Sequence, residues 1–357
     1  PTAAARGRTR PLWELTLFEG LDEDRAATVL KMHNVLMDGV GGLAVLVHVL
    51  DTEREPAIPA GASPVVPSAS APNAFETLVE MARYDTARAV RTGSGLLRSL
   101  PRGIGRSVHD PAGATREVVA TAADFVRLVR PALTTRSPVM TDRRLGSHFE
   151  VLEVPLPQLK RAAKAAGGTL NDAFVAAIVG GLRIYHDKHG APVERLRMVM
   201  TINVRGEQDA VGGNHVTAVR AEVPVATTDT LQRVREITDL CHRMRRDRSI
   251  PHINAVAAIL NALPVAVMAG MLKHDDFIVS NVPGYPGPLY LGGARLDAFY
   301  GFGPTAGTAV NVTLLSYRDT CHIGINANAG AVSDPGLLRE CLREGAEEVL
   351  SLADRRM

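Results

Sequence analysis

Cysteine is scarce in this 357-residue chain: Cys241, Cys321 and Cys341 stand apart, none in a Cys-x-x-Cys spacing. An odd, scattered set argues against a disulfide framework or a zinc site and fits a reducing, cytosolic compartment. Charge imbalance is missing too, and a net charge of +2 gives no footprint for a nucleic-acid partner. The chain has no Gly-x-x-x-x-Gly-Lys loop to cradle a phosphate, no Gly-x-Ser-x-Gly elbow, no internal repeat and no signal-peptide pattern. A single stretch, residues 254–272, is nearly all apolar over nineteen residues. Its length would permit a membrane span, but Pro264 in its middle, Asn254, Asn261 and flanking charge predict a buried or membrane-dipping helix instead. The chain starts at Pro1 rather than Met, which reads as a fragment or a processed piece.

Apolar residues make up 46% and charged residues 22%, ordinary proportions for a globular protein. The length predicts two to three domains or lobes. Alternation over residues 11–18 and 26–33, with a turn across Glu19–Arg25, predicts a β-hairpin. Gly39, Gly41 and Gly42 then permit a tight turn, and Leu43–Leu50 reads as a short apolar helix. Residues 53–73 turn abruptly to Pro, Ala and Ser, a linker composition. Residues 75–136 read as broken helices with scattered Arg, a solvated face over the core or a surface for anionic membrane.

A second α/β unit begins with a strand over His148–Val154 and a helix from Pro157 to Ala166, stopped by Gly167-Gly168. Thr169 caps a long helix to about His189, with Asp172 favouring its dipole. Further strands are expected at 196–204, 215–225, 277–282, 289–299, 310–317 and 321–326, and helices at 230–248 and 335–352. Strands and helices without strict alternation predict a mixed sheet in an α/β or α+β layered fold. His186 and His189 at i, i+3 could ligate a metal in principle, but with no third ligand nearby, placement at a helix C-terminus is the better reading.

The residues with chemistry cluster first at His33-Asn34 and Asp38-Gly39, where a strand meets a turn. Moving an acyl group from a thioester to a hydroxyl needs a base to take the alcohol proton. A neutral His can do that at pH 7; Asn34 can only hydrogen-bond. Asn171, at the start of the Thr169-capped helix, reads by itself as a capping residue. The other reading is an amide donor to a carbonyl oxygen gaining charge.

His33-Asn34-x-x-x-Asp38-Gly39 resembles the His-His-x-x-x-Asp-Gly signature of the CoA-dependent acyltransferase superfamily, with Asn34 in place of the second His. Pro11-Leu12-Trp13, Asn171-Asp172, Asn203-Val204-Arg205, Gly213-Asn214-His215, Asn281-Val282-Pro283 and Asn311-Val312-Thr313 follow in order. Together they resemble the bacterial wax ester synthase/diacylglycerol acyltransferase family. The resemblance implies a two-lobed fold of the chloramphenicol acetyltransferase kind with a channel between the lobes. It implies acyl-CoA as a substrate rather than a held cofactor, and diacylglycerol or a long-chain alcohol as acceptor.

In that reading His33 and Asp38 hold the motif, Asn34 sits at the general-base position and Asn171 assists. Trp13, Gly39, Asp172, Arg205, Asn281, Val282 and Pro283 shape the substrate site, and no metal is involved. The implied setting is cytoplasmic, peripheral to the inner membrane or on lipid droplets. Family members carry a segment before Pro-Leu-Trp, so the chain is a fragment or takes those strands from another polypeptide, with self-association one route. The domains expected are 1–52, the end of an N-terminal lobe; 53–73, a linker; 74–147, a helical connection; and 148–357, a C-terminal lobe. Asn34 also opens two other functions: a silent homologue that binds acyl-CoA or neutral lipid, and a transferase acting on a different hydroxyl or amine.

Overall fold

The computed structural model describes residues 12–33, 41–43, 46, 49–56, 134–203, 216–245 and 273–354. All but Pro56 belong to one compact unit, formed by Pro1–Glu55, Pro131–Arg245 and Ala269–Met357. Residues 57–73 of the linker, 75–133 of the Arg-bearing stretch and the apolar run at 254–272 lie outside the described residues.

Strands β1 (Trp13–Leu21) and β2 (Arg25–Met32) form the expected antiparallel hairpin. The turn is tighter than the composition of Glu19–Arg25 indicates. The first strand runs on to Leu21 through a register shift, and only Asp22–Asp24 turn, with Glu23 and Asp24 at positive φ. The backbone N–H of His33 donates to the Leu12 carbonyl at 2.8 Å and closes the open end. Leu43, Leu46 and Val49 are helical, as the apolar run predicts, while Gly41 and Gly42, expected in the turn, are helical too.

The core is built on β3 (Ser147–Pro155), α1 (Leu156–Ala165), α2 (Leu170–Lys188), β4 (Arg195–Asn203), β5 (Val216–Pro224), α3 (Thr230–Arg245) and β6 (Phe277–Val282). The segment 289–299 departs from the single strand predicted for it. It makes a miniature hairpin, β7 (Tyr290–Leu291) and β8 (Ala294–Arg295), because Gly292 and Gly293 take φ of 56° and 79° and fold the chain back. The core is completed by β9 (Val310–Tyr317), β10 (Thr320–Asn328), α4 (Pro335–Leu350) and a closing 3₁₀ turn, Ser351–Asp354. The main sheet has six strands in the order β3-β10-β9-β6-β4-β5. Its β4–β6 and β6–β9 pairs are parallel and the others antiparallel, so the sheet is mixed, as expected.

One face of the sheet is covered by the helices. Phe174, Ile178 and Leu182 of α2 pack with Met198, Val279, Val312 and Ile323 of the strands in one large core. Helices α2 and α4 cross without intervening side chains: a Cβ on Gly345 would stand 2.3 Å from the Gly181 nitrogen. The Thr169 cap is a full capping box with Asp172, and Gly167 at φ 79° ends the turn before it. These are the devices the sequence pointed to.

The opposite face carries a smaller core of Leu43, Leu50, Val282, Leu289, Leu315 and Tyr317. It is tied down by Asn311 and Asn326, whose amides donate to the carbonyls of Pro304 and Gly303. Among the described residues, no single helix is long and apolar enough to cross a membrane.

Candidate active site at one end of the sheet

Because β4, β6 and β9 run parallel, their carboxyl ends (Asn203, Val282 and Tyr317) lie at the same end of the sheet. That end is the usual place for a ligand in sheets with parallel strands, since the chain leaves each strand there in a loop free to carry chemistry. Of the sequence-predicted residues, Trp13, His33, Asn171, Asp172, Asn281, Val282 and Pro283 are among the described ones, and Asn281, Val282 and Pro283 stand at the end of β6.

Side chains alternate along β6. Phe277 and Val279 face the helices, which puts Asn281 on that face and Val282 on the other. Asn171, in the first turn of α2, stands on the helix side. Its amide nitrogen is 3.7 Å from the Met200 sulfur of β4 and 4.0 Å from the Cys241 sulfur of α3. Sulfur is a weak acceptor, so these contacts leave the amide well short of its hydrogen-bonding capacity. Asp172 is fully buried, and its carboxylate accepts from the Thr169 backbone N–H and hydroxyl at 2.9 and 2.8 Å. It is a capping residue that fixes the start of α2 and, with it, Asn171.

On the other face, Val282 shares the small core with Leu43 and Leu50, and Leu46 packs against it. The helical segment that follows Asp38-Gly39 is thereby seated on the end of β6. A backbone pair between Asp51 and Tyr290, at 2.9 and 2.8 Å in both directions, fastens its far end. Next to Pro283, Gly284 donates its N–H to the Ser316 hydroxyl at 3.1 Å, and a Cβ there would meet the Ser316 carbonyl oxygen at 1.5 Å. Only glycine permits that approach. The hydroxyls of Thr201 and Ser280, 3.0 Å apart, join β4 to β6.

His33 follows β2 and is exposed; Trp13, opposite Met32 at the start of the hairpin, is about half exposed. Asn34, Asp38, Gly39 and Arg205 lie outside the described residues. Asn311, in the last of the ordered motifs, serves the fold: its Oδ1 accepts from the Thr313 hydroxyl while its amide donates to the Pro304 carbonyl. His186 is neither a ligand nor a simple dipole partner. It is fully buried, and Leu182 O, 2.7 Å from Nδ1, can only accept, so Nδ1 carries the proton and Nε2 accepts from the Ser137 hydroxyl at 2.8 Å. Burial pushes its pKa below the ordinary imidazole value.

Sequence reasoning missed Asp276. Its buried carboxylate accepts from the backbone N–H groups of Arg136, Ser137 and Arg197 and pins the entry into this unit. It missed Arg233 as well, a fully buried guanidinium held by Glu348 at 2.5 Å and by the Ala176 carbonyl, beside Gly180. In the sequence, Arg233 looked like one more charge on a basic helix. The conjunction of a glycine on α2 with an acid on α4 was the only signal, and it is visible only in three dimensions. No group of three or more His, Cys, Asp or Glu side chains suited to a metal occurs among the described residues.

Comparison with known proteins agrees with this arrangement. Residues 6–174 match the family model of the wax ester synthase/diacylglycerol acyltransferase catalytic domain, and residues 212–349 match that of the family's C-terminal domain. A putative diacylglycerol O-acyltransferase of Mycobacterium tuberculosis is 34% identical over 351 residues, covering 97% of this chain and 70% of the relative. The O-acyltransferase WSD of Acinetobacter baylyi is 27% identical over 344 residues, 91% of this chain and 70% of that protein.

The fold matches the wax ester synthase/diacylglycerol acyltransferase from Marinobacter aquaeolei VT8 with a TM-score of 0.62 at 21% identity, over 99% of this chain and 74% of that one. It also matches the first condensation domain of the calcium-dependent antibiotic synthetase with a TM-score of 0.54 at 17% identity, over 96% and 67%. The expected mixed α/β acyltransferase fold is thus the one these neighbours share. By its family models and its relatives, this chain belongs to the wax ester synthase/diacylglycerol acyltransferase family, a family of acyl-CoA-dependent O-acyltransferases.

Proposed function

We propose that this chain transfers a long-chain acyl group from acyl-CoA to the hydroxyl of diacylglycerol or of a long-chain alcohol, slowly, because Asn34 stands where the family's base stands. The observation that carries the reading is the seating of the helix after Asp38-Gly39 on Val282, at the carboxyl ends of β4, β6 and β9. It brings the residues that follow the signature in sequence into one core with Val282.

In the reaction the acceptor oxygen attacks the thioester carbonyl, its proton passes to a base, and CoA leaves as a thiolate that takes up a proton. Asn34 can orient the hydroxyl but has no useful affinity for its proton. Losing general-base catalysis typically costs about 10²–10⁴ in rate. Asp172 fixes the turn that presents the Asn171 amide. A role for that amide toward the carbonyl oxygen is supported by its weak sulfur contacts and its place at a helix N-terminus. Association with the inner membrane or lipid droplets is supported by the Arg-bearing stretch 75–136 and the apolar run 254–272.

The test measures CoA-thiol release from a long-chain acyl-CoA with diacylglycerol and, separately, with hexadecanol, alongside equilibrium binding of the acyl-CoA. Acceptor-dependent release with either alcohol supports the transfer. Stoichiometric acyl-CoA binding without release would make the chain a silent binder. Release with neither and no binding would overturn the assignment.

A further inference from the structure

Three hydroxyl side chains form a row across β4, β6 and β9, on the face opposite the helices. Met200, Val279, Val312 and Leu314 belong to the core under the helices, so alternation turns Thr201, Ser280 and Thr313 to the other side. Ser280 and Thr313 are in register on β6 and β9, and from β4 the Thr201 hydroxyl donates to the Ser280 Oγ at 3.0 Å. The row is covered unevenly. Thr313 is buried, a Cβ on Gly301 would stand 3.3 Å from its methyl, and its hydroxyl is spent on the Asn311 Oδ1 at 2.9 Å. Ser280 is only partly buried, and its hydroxyl hydrogen has no acceptor among the described residues. Reversing the pair, so that Ser280 donates, leaves Thr201 only the Val279 carbonyl at 3.5 Å, beyond the ordinary O–H···O length. In either arrangement the pair holds one unspent hydrogen.

The position of that hydrogen gives it a use. Ser280 precedes Val282 by two residues and shares its face, where Leu43 and Leu50 seat the helix that follows Asp38-Gly39. Asn171, by contrast, stands on the helix-covered side, against Met200 and Cys241. A hydroxyl whose oxygen already accepts a hydrogen bond is polarised into a better donor. The carbonyl oxygens of an acyl-CoA can only accept. We propose that Ser280 donates a hydrogen bond to a carbonyl of bound acyl-CoA, and that Thr201 is the positioning residue that aims it. The inference rests on the acyl-transfer reading above. The thioester carbonyl and the pantetheine amide carbonyls offer a hydroxyl the same chemistry, and the test distinguishes them.

Palmitoyl-CoA binding is measured by calorimetry for the unaltered chain, Ser280→Ala, Thr201→Val and Thr201→Ser. The thioester carbonyl, labelled with ¹³C, is followed by infrared difference spectroscopy. Ser280→Ala is expected to weaken binding about fivefold. Thr201→Val should weaken it less, with Thr201→Ser restoring it, and this pair carries the test should Ser280→Ala fail to fold. A carbonyl band that moves to lower wavenumber on binding, and moves back in Ser280→Ala, puts the donor on the thioester. Weaker binding with an unmoved band puts it on a pantetheine amide. Affinity and band in Ser280→Ala equal to those of the unaltered chain would overturn the proposal and leave acyl transfer standing. So would an affinity loss that appears only with a fallen urea midpoint, the mark of a purely structural hydroxyl. No binding by the unaltered chain would overturn both readings.

Discussion

Strands β1 and β3 alternate in much the same way, yet they end in different surroundings. Leu152 and Val154 of β3 are 9% and 4% exposed, while Trp13, Leu15 and Leu17 of β1 are 56%, 51% and 56% exposed. The difference is not in the residues. Strand β3 has β10 beside it and helices over one face; among the described residues β1 pairs with β2 alone. A two-stranded ribbon cannot bury a face by itself, so alternation specifies which side is apolar and leaves burial to the partner. The two regions should therefore respond differently to the same kind of damage.

The largest expected contrast comes from truncation. Phe174→Ala empties a fully enclosed position under the sheet and should cost about 3–5 kcal/mol. Leu15→Ala on the hairpin should cost about 1 kcal/mol or less, both measured by urea denaturation. Next is Gly345→Ala at the α2–α4 crossing, where the added methyl meets backbone at 2.3 Å. It should cost about 1–3 kcal/mol. The same change at Gly20, where the added carbon meets nothing within 4 Å, should cost only the strain of its positive φ.

A smaller effect is pH-dependent and confined to the helix-covered region. His186 has a depressed pKa when folded, so the unfolded chain binds more protons below the ordinary value of about 6.5. Stability from this group is therefore complete above that value and is lost as pH falls through the lowered folded value. The melting temperature should drop on acidification from about pH 7, and His186→Gln should flatten the imidazole part of that slope. The smallest effect is expected on the surface. Removing the exposed Arg343 pairs with Glu340 and Glu347 by Arg343→Ala should leave the urea midpoint essentially unchanged, because solvent screens such pairs.

The contrast between locally and distantly determined structure also decides what was legible in the sequence. Elements with local signals could be read: the hairpin, the Thr169–Asp172 box, the Gly167 stop and the strands of the mixed sheet. What stayed hidden depends on neighbours distant in sequence. The break at Gly292-Gly293 was lost within an apolar stretch. Arg233 and Asp276 became structural only when Glu348 and three distant N–H groups closed on them. For the site, the ordered motifs named the participants, and the sheet then divided their roles. Asp172 caps a helix, Val282 seats the signature's helix, and Asn311 fastens the Pro304 loop.

The most direct test of the central claim is the rate of CoA-thiol release by Asn34→His against the unaltered chain, with the acyl-CoA and alcohol in excess. If position 34 is the place of the base and the rest of the site is assembled around it, kcat should rise by about 10²–10⁴, with KM for acyl-CoA little changed. Equal rates would mean that another group removes the acceptor's proton, and that position 34 is not the place of the base.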